Sequence, residues 1–199
     1  TDEYNGYTTG GSPGELKYRV DKGVQCATAL GMYAIVDWHI LNSNPKAHII
    51  QAKEFWAYAS ERYKDNDNVL YEICNEPTSG IWSDIKSYAE TIIPIIRAND
   101  PDAIIIVGTP TWSQDVDIAA EDPLESVTNV AYTVHFYAAT HKENIRSKVK
   151  TAHDKGLCVF ISEFSICDAS GNGNIDKKSA NKWMKLLDEY KTGRVFIFY

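Results

Sequence analysis

The sequence predicts an α/β fold in which six short strands alternate with helices and curve into a barrel-type sheet. The strands are almost wholly apolar, as in Ala103–Gly108, which is typical of parallel strands covered on both faces. No glycine-rich phosphate loop follows any strand, and this disfavours a doubly wound nucleotide-binding sheet. Polar residues instead follow the C-terminal ends of four strands, which is where barrel enzymes build their active sites.

Hydrophobic periodicity places five helices after a leading loop. Residues 1–14 are rich in Gly, Ser, Thr and Tyr and predict that loop. In the first helix apolar residues recur at helical spacing, and Gly31 is well placed to end it. Pro94 predicts a kink or a break in the third helix. The predicted helices are Glu15–Leu30, Ile49–Lys64, Ile81–Asn99, Asn144–Lys155 and Lys177–Lys191.

The strands are short apolar runs between these helices. They are Tyr33–Ile40, Val69–Asn75, Ala103–Gly108, Val130–Tyr137, Leu157–Phe164 and Val195–Tyr199. Because no low-complexity linker divides the chain and its length suits one core, residues 1–199 are predicted to form a single domain.

Composition narrows the classes of partner. The chain has 27 acidic and 20 basic residues and a net charge of −7, which argues against a nucleic-acid groove. Twelve Tyr, six Phe and five Trp fit either a packed core or stacking on sugar rings. No apolar run approaches the ~18–20 residues that a membrane helix needs. The four cysteines form no CxxC pair, which argues against a zinc site.

The polar residues at the strand ends predict one composite site. They are Asp37, His39, Asn75, Glu76, His135, Tyr137 and Glu163. Because side chains alternate along a strand, residues two apart share a face. Alternation therefore places His135 beside Tyr137, and Glu163 on the face of Val159 and Ile161.

Glu76 and Glu163 are carboxylates on different strands, and a pair of carboxylates at a separation of ~5–5.5 Å is what retaining glycosidic cleavage requires. Taken singly, Glu76 could bind loop amides, Glu163 could pair with a buried cation, and the histidines could be satisfied core residues. Their joint placement favours catalysis. Glu72, four residues before Glu76, is predicted to be a structural acid of the barrel interior.

Four strings carry a family resemblance. They are AIVDWHIL at Ala34–Leu41, LYEICNEP at Leu70–Pro77, TVHFY at Thr133–Tyr137 and FISEF at Phe160–Phe164. In this order they resemble glycoside hydrolase family 5, the cellulase family, in its bacterial endoglucanase-like branch. The resemblance implies a TIM-type (β/α)8 barrel and a retaining double displacement without metal or organic cofactor.

The resemblance also implies roles for individual residues. Glu76 would be the acid/base and Glu163 the nucleophile, which Tyr137 would hold ionised. Asn75 would bind the sugar 2-hydroxyl. The remaining substrate-binding residues implied are His39 and His135 in subsite −1, Trp112 as a stacking residue of the plus subsites, and Tyr7 in a minus subsite.

The pattern departs from the family at both ends. Two strands, a helix and a catalytic-centre Arg that precede this segment in the family have no counterpart here. The family's eighth-strand Trp is missing from Arg194–Tyr199. The resemblance thus implies an incomplete barrel with about six of the eight strands. Exposed edges would then favour homo-oligomers.

The function expected is that of an endo-β-1,4-glucanase acting on cellulose or mixed-linkage β-glucan. The alternatives are a catalytically impaired remnant that only binds β-glucan, or a related β-mannanase or xylanase. No signal peptide is recognisable in TDEYNGYTTGG. The parent enzyme is nevertheless expected to be secreted, since polymeric glucan does not cross membranes. Neither a nucleic acid nor a membrane is expected as a partner.

Overall fold

The computed structural model describes residues 1–197, and Phe198 and Tyr199 lie outside the described residues. A sheet of six parallel strands in chain order forms a half-barrel. The strands are β1 (Ala34–Asp37), β2 (Val69–Glu72), β3 (Ile104–Val107), β4 (Val130–Tyr137), β5 (Val159–Ser165) and β6 (Arg194–Phe196). The predicted α/β half-barrel of six strands is therefore confirmed, although the last two residues of the predicted final strand fall outside the described part.

The helices form the outer layer. They are α1 (Pro13–Ala29), α2 (Ile49–Tyr63), α3 (Trp82–Arg97), the single turn α4 (Pro110–Ser113), α5 (Val116–Glu121), α6 (Glu143–Asp154) and α7 (Lys177–Glu189), with a 3-10 turn at Pro45–His48. Of the predicted kink or break at Pro94, the break is wrong, because α3 continues through it to Arg97. Pro94 lies in the last turn of a helix whose Ile85, Ile92 and Ile96 are fully buried. Burial worth about 1.5–3 kcal/mol per side chain holds that turn in place.

Alternate strand residues face two different environments. Val36, Tyr71, Ile105 and Val134 pack beneath the helices in one hydrophobic core. Strand residues next to these in sequence point to the concave side of the sheet, where a cavity of about 610 Å³ lies between β1 and β6. Its lining includes Ile35, Asp37, Leu70, Glu72, Ile104, Phe160 and Ser162. The alternation thus carries the polar residues of the apolar strands to the inside.

An irregularity in β5 changes which face Glu163 occupies. Thr133 pairs with Phe160, but His135 pairs with Glu163, so β5 holds one more residue than β4 between these pairs. Strict alternation predicted Glu163 on the face of Val159 and Ile161. That expectation is wrong, because Val159 and Ile161 belong to the helix-side core while Ser162 and Glu163 both line the concave cavity. Such bulges re-aim side chains near active sites.

The two ends of the sheet are open. Within residues 1–197, β1 pairs only with β2 and β6 only with β5. Among the same residues, none of the helices is long and apolar enough to cross a membrane.

Candidate active site

The two predicted catalytic carboxylates meet at the C-terminal end of the sheet. One side-chain oxygen each of Glu76 and Glu163, together with a ring nitrogen of His135, lie within 4.8 Å of one another. Both carboxylates line a cleft of about 750 Å³. This spacing is close to the ~5–5.5 Å of retaining glycosidases and shorter than the ~6.5–9.5 Å that leaves room for an attacking water in inverting enzymes.

Backbone contacts hold Glu76 just beyond β2. The amide of Glu76 donates to the carbonyl of Ile40 at 3.0 Å, so the segments after β1 and β2 stay joined past the strand ends. Behind it, the hydroxyl of Ser113 donates to the carbonyl of Asn75 at 2.5 Å. A Cβ on Gly108 would lie 2.2 Å from the carbonyl oxygen of Cys74. The segment after β3 therefore needs glycine there in order to pass this close.

Glu163 is held from the neighbouring strand. The hydroxyl of Tyr137 donates to Glu163 Oε1 at 2.5 Å, and His135 Nδ1 lies 3.9 Å from Glu163 Oε2. Glu163 is 8% exposed. A carboxylate this buried is tolerated because it is hydrogen-bonded and faces a cation.

His135 is the hub of a buried polar network. Its Nδ1 contacts Glu76 Oε1 at 2.8 Å, and its Nε2 contacts Ser162 Oγ at 2.9 Å. The Ser162 hydroxyl in turn donates to Glu72 Oε1 at 2.5 Å. Burial alone would lower the pKa of His135, but the nearby carboxylates of Glu72, Glu76 and Glu163 raise it to about 10. His135 is therefore an imidazolium at neutral pH.

Asp37 and His39 form a second pair at the rim. His39 Nδ1 lies 2.7 Å from Asp37 Oδ2. Burial raises the pKa of Asp37 to about 6, while the hydrogen bond to Asp37 raises the pKa of His39. Within the described residues, Asp37 Oδ1 is buried without a partner. His39 lines the cleft beside Glu76 and Glu163, which fits the predicted place in subsite −1.

Trp112 stands at the mouth of the cleft on a strained turn. Thr111, Trp112 and Ser113 have φ of 59°, 56° and 53°, a left-handed conformation that non-glycine residues rarely adopt. The turn is anchored by the Ser113 hydroxyl and by Thr111 Oγ1, which donates to Asp115 at 2.6 Å. Trp112 is 51% exposed and lines the cleft. The anchored turn thus presents an indole face to the solvent side of the site.

Tyr7 lies apart from the other predicted residues. Its ring packs against Trp38 and Phe55 with centroid distances of 5.5 and 5.6 Å, and its hydroxyl donates to Glu54 at 3.1 Å. Tyr7 is not among the residues that line the cleft or the concave cavity. Sugar binding by Tyr7 remains a prediction.

Several cleft and network residues were missed by the sequence reasoning. Glu3, Gln114 and His141 also line the cleft. The ring of His141 accepts from the amide of Tyr137 at 2.8 Å, and burial lowers its pKa. Loop residues of this kind have no periodicity to reveal them. Ser162 could have been found, because a hydroxyl inside an apolar strand needs a partner.

Glu76, His135 and Glu163 are the one group among residues 1–197 clustered closely enough to suit a metal ion. Two contacts already account for that clustering. Glu76 shares a hydrogen bond with His135, and Glu163 accepts from Tyr137.

Comparison with known proteins assigns the chain to a family. A family model described as cellulase (glycosyl hydrolase family 5) matches residues 3–197. The chain is 50% identical over 179 residues to an endoglucanase of Clostridium saccharobutylicum, and the alignment covers 88% of this chain and 40% of that protein. It is 44% identical over 191 residues to endoglucanase A of Butyrivibrio fibrisolvens, covering 94% and 44%. The chain thus spans less than half of these relatives.

Solved structures agree. Cellulase Cel5C_n superposes with a TM-score of 0.96 at 47% identity, covering 100% of this chain and 64% of that one. A variant of endoglucanase Cel5A from Thermobifida fusca, in complex with cellotetraose, superposes with a TM-score of 0.88 at 37% identity, covering 94% and 64%.

Proposed function

Because the chain belongs to the cellulase family, glycosyl hydrolase family 5, we propose that it hydrolyses β-glucan with retention of anomeric configuration. Glu76 serves as acid/base and Glu163 as nucleophile. The observation that carries this proposal is the placement of both carboxylates in one cleft, with an oxygen of each within 4.8 Å of the other. That spacing leaves no room for a water between carboxylate and sugar but suits direct attack.

In the first step, Glu163 attacks the anomeric carbon while Glu76 gives its proton to the departing glycosidic oxygen. The Tyr137 hydroxyl, which donates to Glu163 Oε1, keeps that carboxylate oriented, so Oε2 is free to attack. The covalent glycosyl-enzyme then forms as the C–O bond to the leaving sugar breaks. In the second step, Glu76 takes a proton from water, and the resulting hydroxide displaces Glu163.

His135 decides which oxygen of Glu76 carries the transferable proton. As an imidazolium, His135 donates from Nδ1 to Glu76 Oε1 at 2.8 Å. Oε1 is therefore an acceptor, and the proton of the acid form resides on Oε2. General acid catalysis needs the proton aimed at the glycosidic oxygen, and this contact supplies that aim.

The cleft residues would bind the sugars. Asn75 is 3% exposed, and its Nδ2 has no partner among the described residues. A buried donor without a partner is costly, so a sugar hydroxyl, such as the 2-hydroxyl, would satisfy it. His39, which lines the same cleft, would contact the same sugar, and Trp112 would stack on a ring in the plus subsites.

The substrate proposed is cellulose or mixed-linkage β-glucan, cleaved internally at β-1,4 bonds. The named relatives are endoglucanases, and the T. fusca neighbour is described in complex with cellotetraose. A polymeric substrate lies outside the cell, so we propose that the enzyme acts extracellularly.

We expect the 199-residue chain to release reducing sugar from carboxymethyl-cellulose, while the double variant Glu76→Ala/Glu163→Ala releases none. Sugar release and binding of the protein to the same polymer should be measured side by side. Binding without sugar release by the wild-type chain would overturn the hydrolase proposal in favour of a module that only binds β-glucan. Faster release from mannan or xylan would overturn the substrate.

We also propose that copies of this chain associate through the open sides of β1 and β6. Among the strands of residues 1–197, β1 pairs only with β2 and β6 only with β5, and Tyr33, beside β1, is 74% exposed. Edge strands with apolar neighbours can pair with other chains. We expect multi-angle light scattering at ~0.1 mM to give a mass above that of one chain. A monodisperse monomer would contradict this.

A further inference from the structure

We infer that Glu72 is a positioning residue for the acid/base: through Ser162 it holds the Nε2 side of His135, so that Nδ1 donates to Glu76. This inference rests on the proposed function of Glu76 and goes beyond it, because Glu72 lines the concave cavity and not the cleft. The sequence alone predicts only a structural role for Glu72.

The direction of each hydrogen bond follows from the chemistry of its partners. As a carboxylate, Glu72 only accepts, so the single hydroxyl proton of Ser162 is donated to Glu72 Oε1 at 2.5 Å. Ser162 Oγ can then only accept from the ring at 2.9 Å. His135 Nε2 must therefore carry a proton.

A second hydroxyl makes the bridge rigid. Thr133 Oγ1 lies 2.5 Å from Ser162 Oγ and accepts from the backbone amide of Ser162 at 3.2 Å. With its own proton, Thr133 fills the remaining acceptor position on Ser162. Glu72, Thr133 and Ser162 are all buried. Buried hydrogen bonds that are mutually satisfied hold their groups in one arrangement.

Whether Nδ1 of His135 also carries a proton depends on the charged groups around the ring. The charged groups that face the ring are Asp37 on β1, Glu72 and Glu76 on and after β2, and Glu163 on β5. Of these, Glu76 and Glu163 change their charge or covalent state during catalysis. Glu72 takes no part in either step and can supply a constant negative charge, with its Oε1 at 3.6 Å from Nε2. A constant anion keeps both ring nitrogens protonated while Glu76 alternates between acid and base.

The test uses Glu72→Gln, which keeps an acceptor for Ser162 but removes the charge. We expect kcat on a cello-oligosaccharide to fall about 10- to 100-fold, which is a part of the roughly 10²–10⁴ that general acid–base catalysis contributes. KM should stay within about twofold, because Glu72 does not line the substrate cleft. A purely structural residue would change stability without this split.

Nitrogen NMR of the histidine ring gives a readout that does not depend on turnover. In the wild-type chain both ring nitrogens of His135 should be protonated at pH 7. In Glu72→Gln the pKa of His135 should fall by about 1–3 pH units, the usual effect of losing a nearby opposite charge. His135→Gln identifies the signal.

Two serine variants cover the case in which Glu72→Gln does not fold. Ser162→Ala removes the bridge and should lower both kcat and the pKa of His135, whereas Ser162→Thr keeps a hydroxyl and should restore both. Tyr88→Phe is the matched control, since it deletes an equally buried hydroxyl, bonded to the carbonyl of Ile73 at 2.8 Å, outside the network.

The outcomes separate cleanly. An unchanged His135 titration in folded Glu72→Gln overturns the inference, and so does a lowered pKa with unchanged kcat. Equal losses in Tyr88→Phe would also overturn it. If the wild-type chain is inert, the proposed function fails, while the NMR arm still decides whether Glu72 holds the second proton on His135.

Discussion

Glu163→Gln is expected to lower kcat on β-glucan by at least about 10⁴-fold, because the amide cannot form the covalent glycosyl-enzyme. The amide oxygen can still accept from the Tyr137 hydroxyl, so the variant should unfold at the same temperature as the wild type. Steady-state rates and thermal unfolding by circular dichroism measure both. Glu90→Gln, an exposed change on α3, is the matched control.

The variant Glu163→Ala tests more directly whether Glu163 forms the covalent intermediate. Truncation leaves a space beneath the anomeric carbon, and azide supplied in solution can enter it and attack an activated aryl β-cellobioside. We expect an α-glycosyl azide, since the azide attacks from the side that Glu163 occupied. Wild-type turnover in Glu163→Gln, or a β-azide from Glu163→Ala, would contradict assignment of Glu163 as nucleophile.

The strands that position the proposed catalytic pair are not at the edges of the described sheet. Glu76 follows β2, His135 and Tyr137 lie on β4, and Glu163 lies on β5. These strands are interior to the sheet, and each is paired on both sides. Strand pairing and the helix-side core therefore fix the carboxylates, whereas the proposed association uses the edge strands β1 and β6. Activity and self-association can thus be tested as separate properties.

Much of the fold was predictable because its signals are local. Apolar runs such as Ala103–Gly108 revealed the strands, and the polar residues after them revealed where Glu76, His135 and Glu163 converge. Helix existence was predictable and helix ends were not, since tertiary packing carries α3 through Pro94 against the local preference of proline.

The remaining features depend on contacts between distant segments. The extra residue in β5 has no signature in FISEF, yet it turns Glu163 to the concave side. The left-handed turn at Thr111–Ser113 carries no glycine that would announce it and is held by the Ser113 hydroxyl on Asn75. The burial of Tyr7 against Trp38 and Phe55 is likewise a tertiary fact. The sequence cannot reveal the link from Glu72 to His135, because it passes through Ser162, which lies 90 positions from Glu72.

Glu76→Gln is expected to slow the first step on some substrates and not on others, according to whether the leaving group needs a proton. A sugar leaving group needs the proton of Glu76, so turnover of β-glucan should fall about 10²- to 10⁴-fold. A dinitrophenolate needs no proton, so the first step on dinitrophenyl β-cellobioside should remain fast. The second step lacks its base and should become slow, because Gln cannot activate water.

This combination predicts a burst of dinitrophenol equal to the enzyme concentration, followed by slow steady release. Stopped-flow absorbance measures the burst, and added azide should accelerate the steady phase by intercepting the glycosyl-enzyme, here with a β-product. Glu163→Ala without azide should show no burst on the same substrate. The two carboxylates lie within 4.8 Å of each other, so a general disturbance of the site would impair both substrates alike. Absence of the dinitrophenol burst in Glu76→Gln, with the first step slowed as much on the aryl glycoside as on the polymer, would therefore refute its role as acid/base.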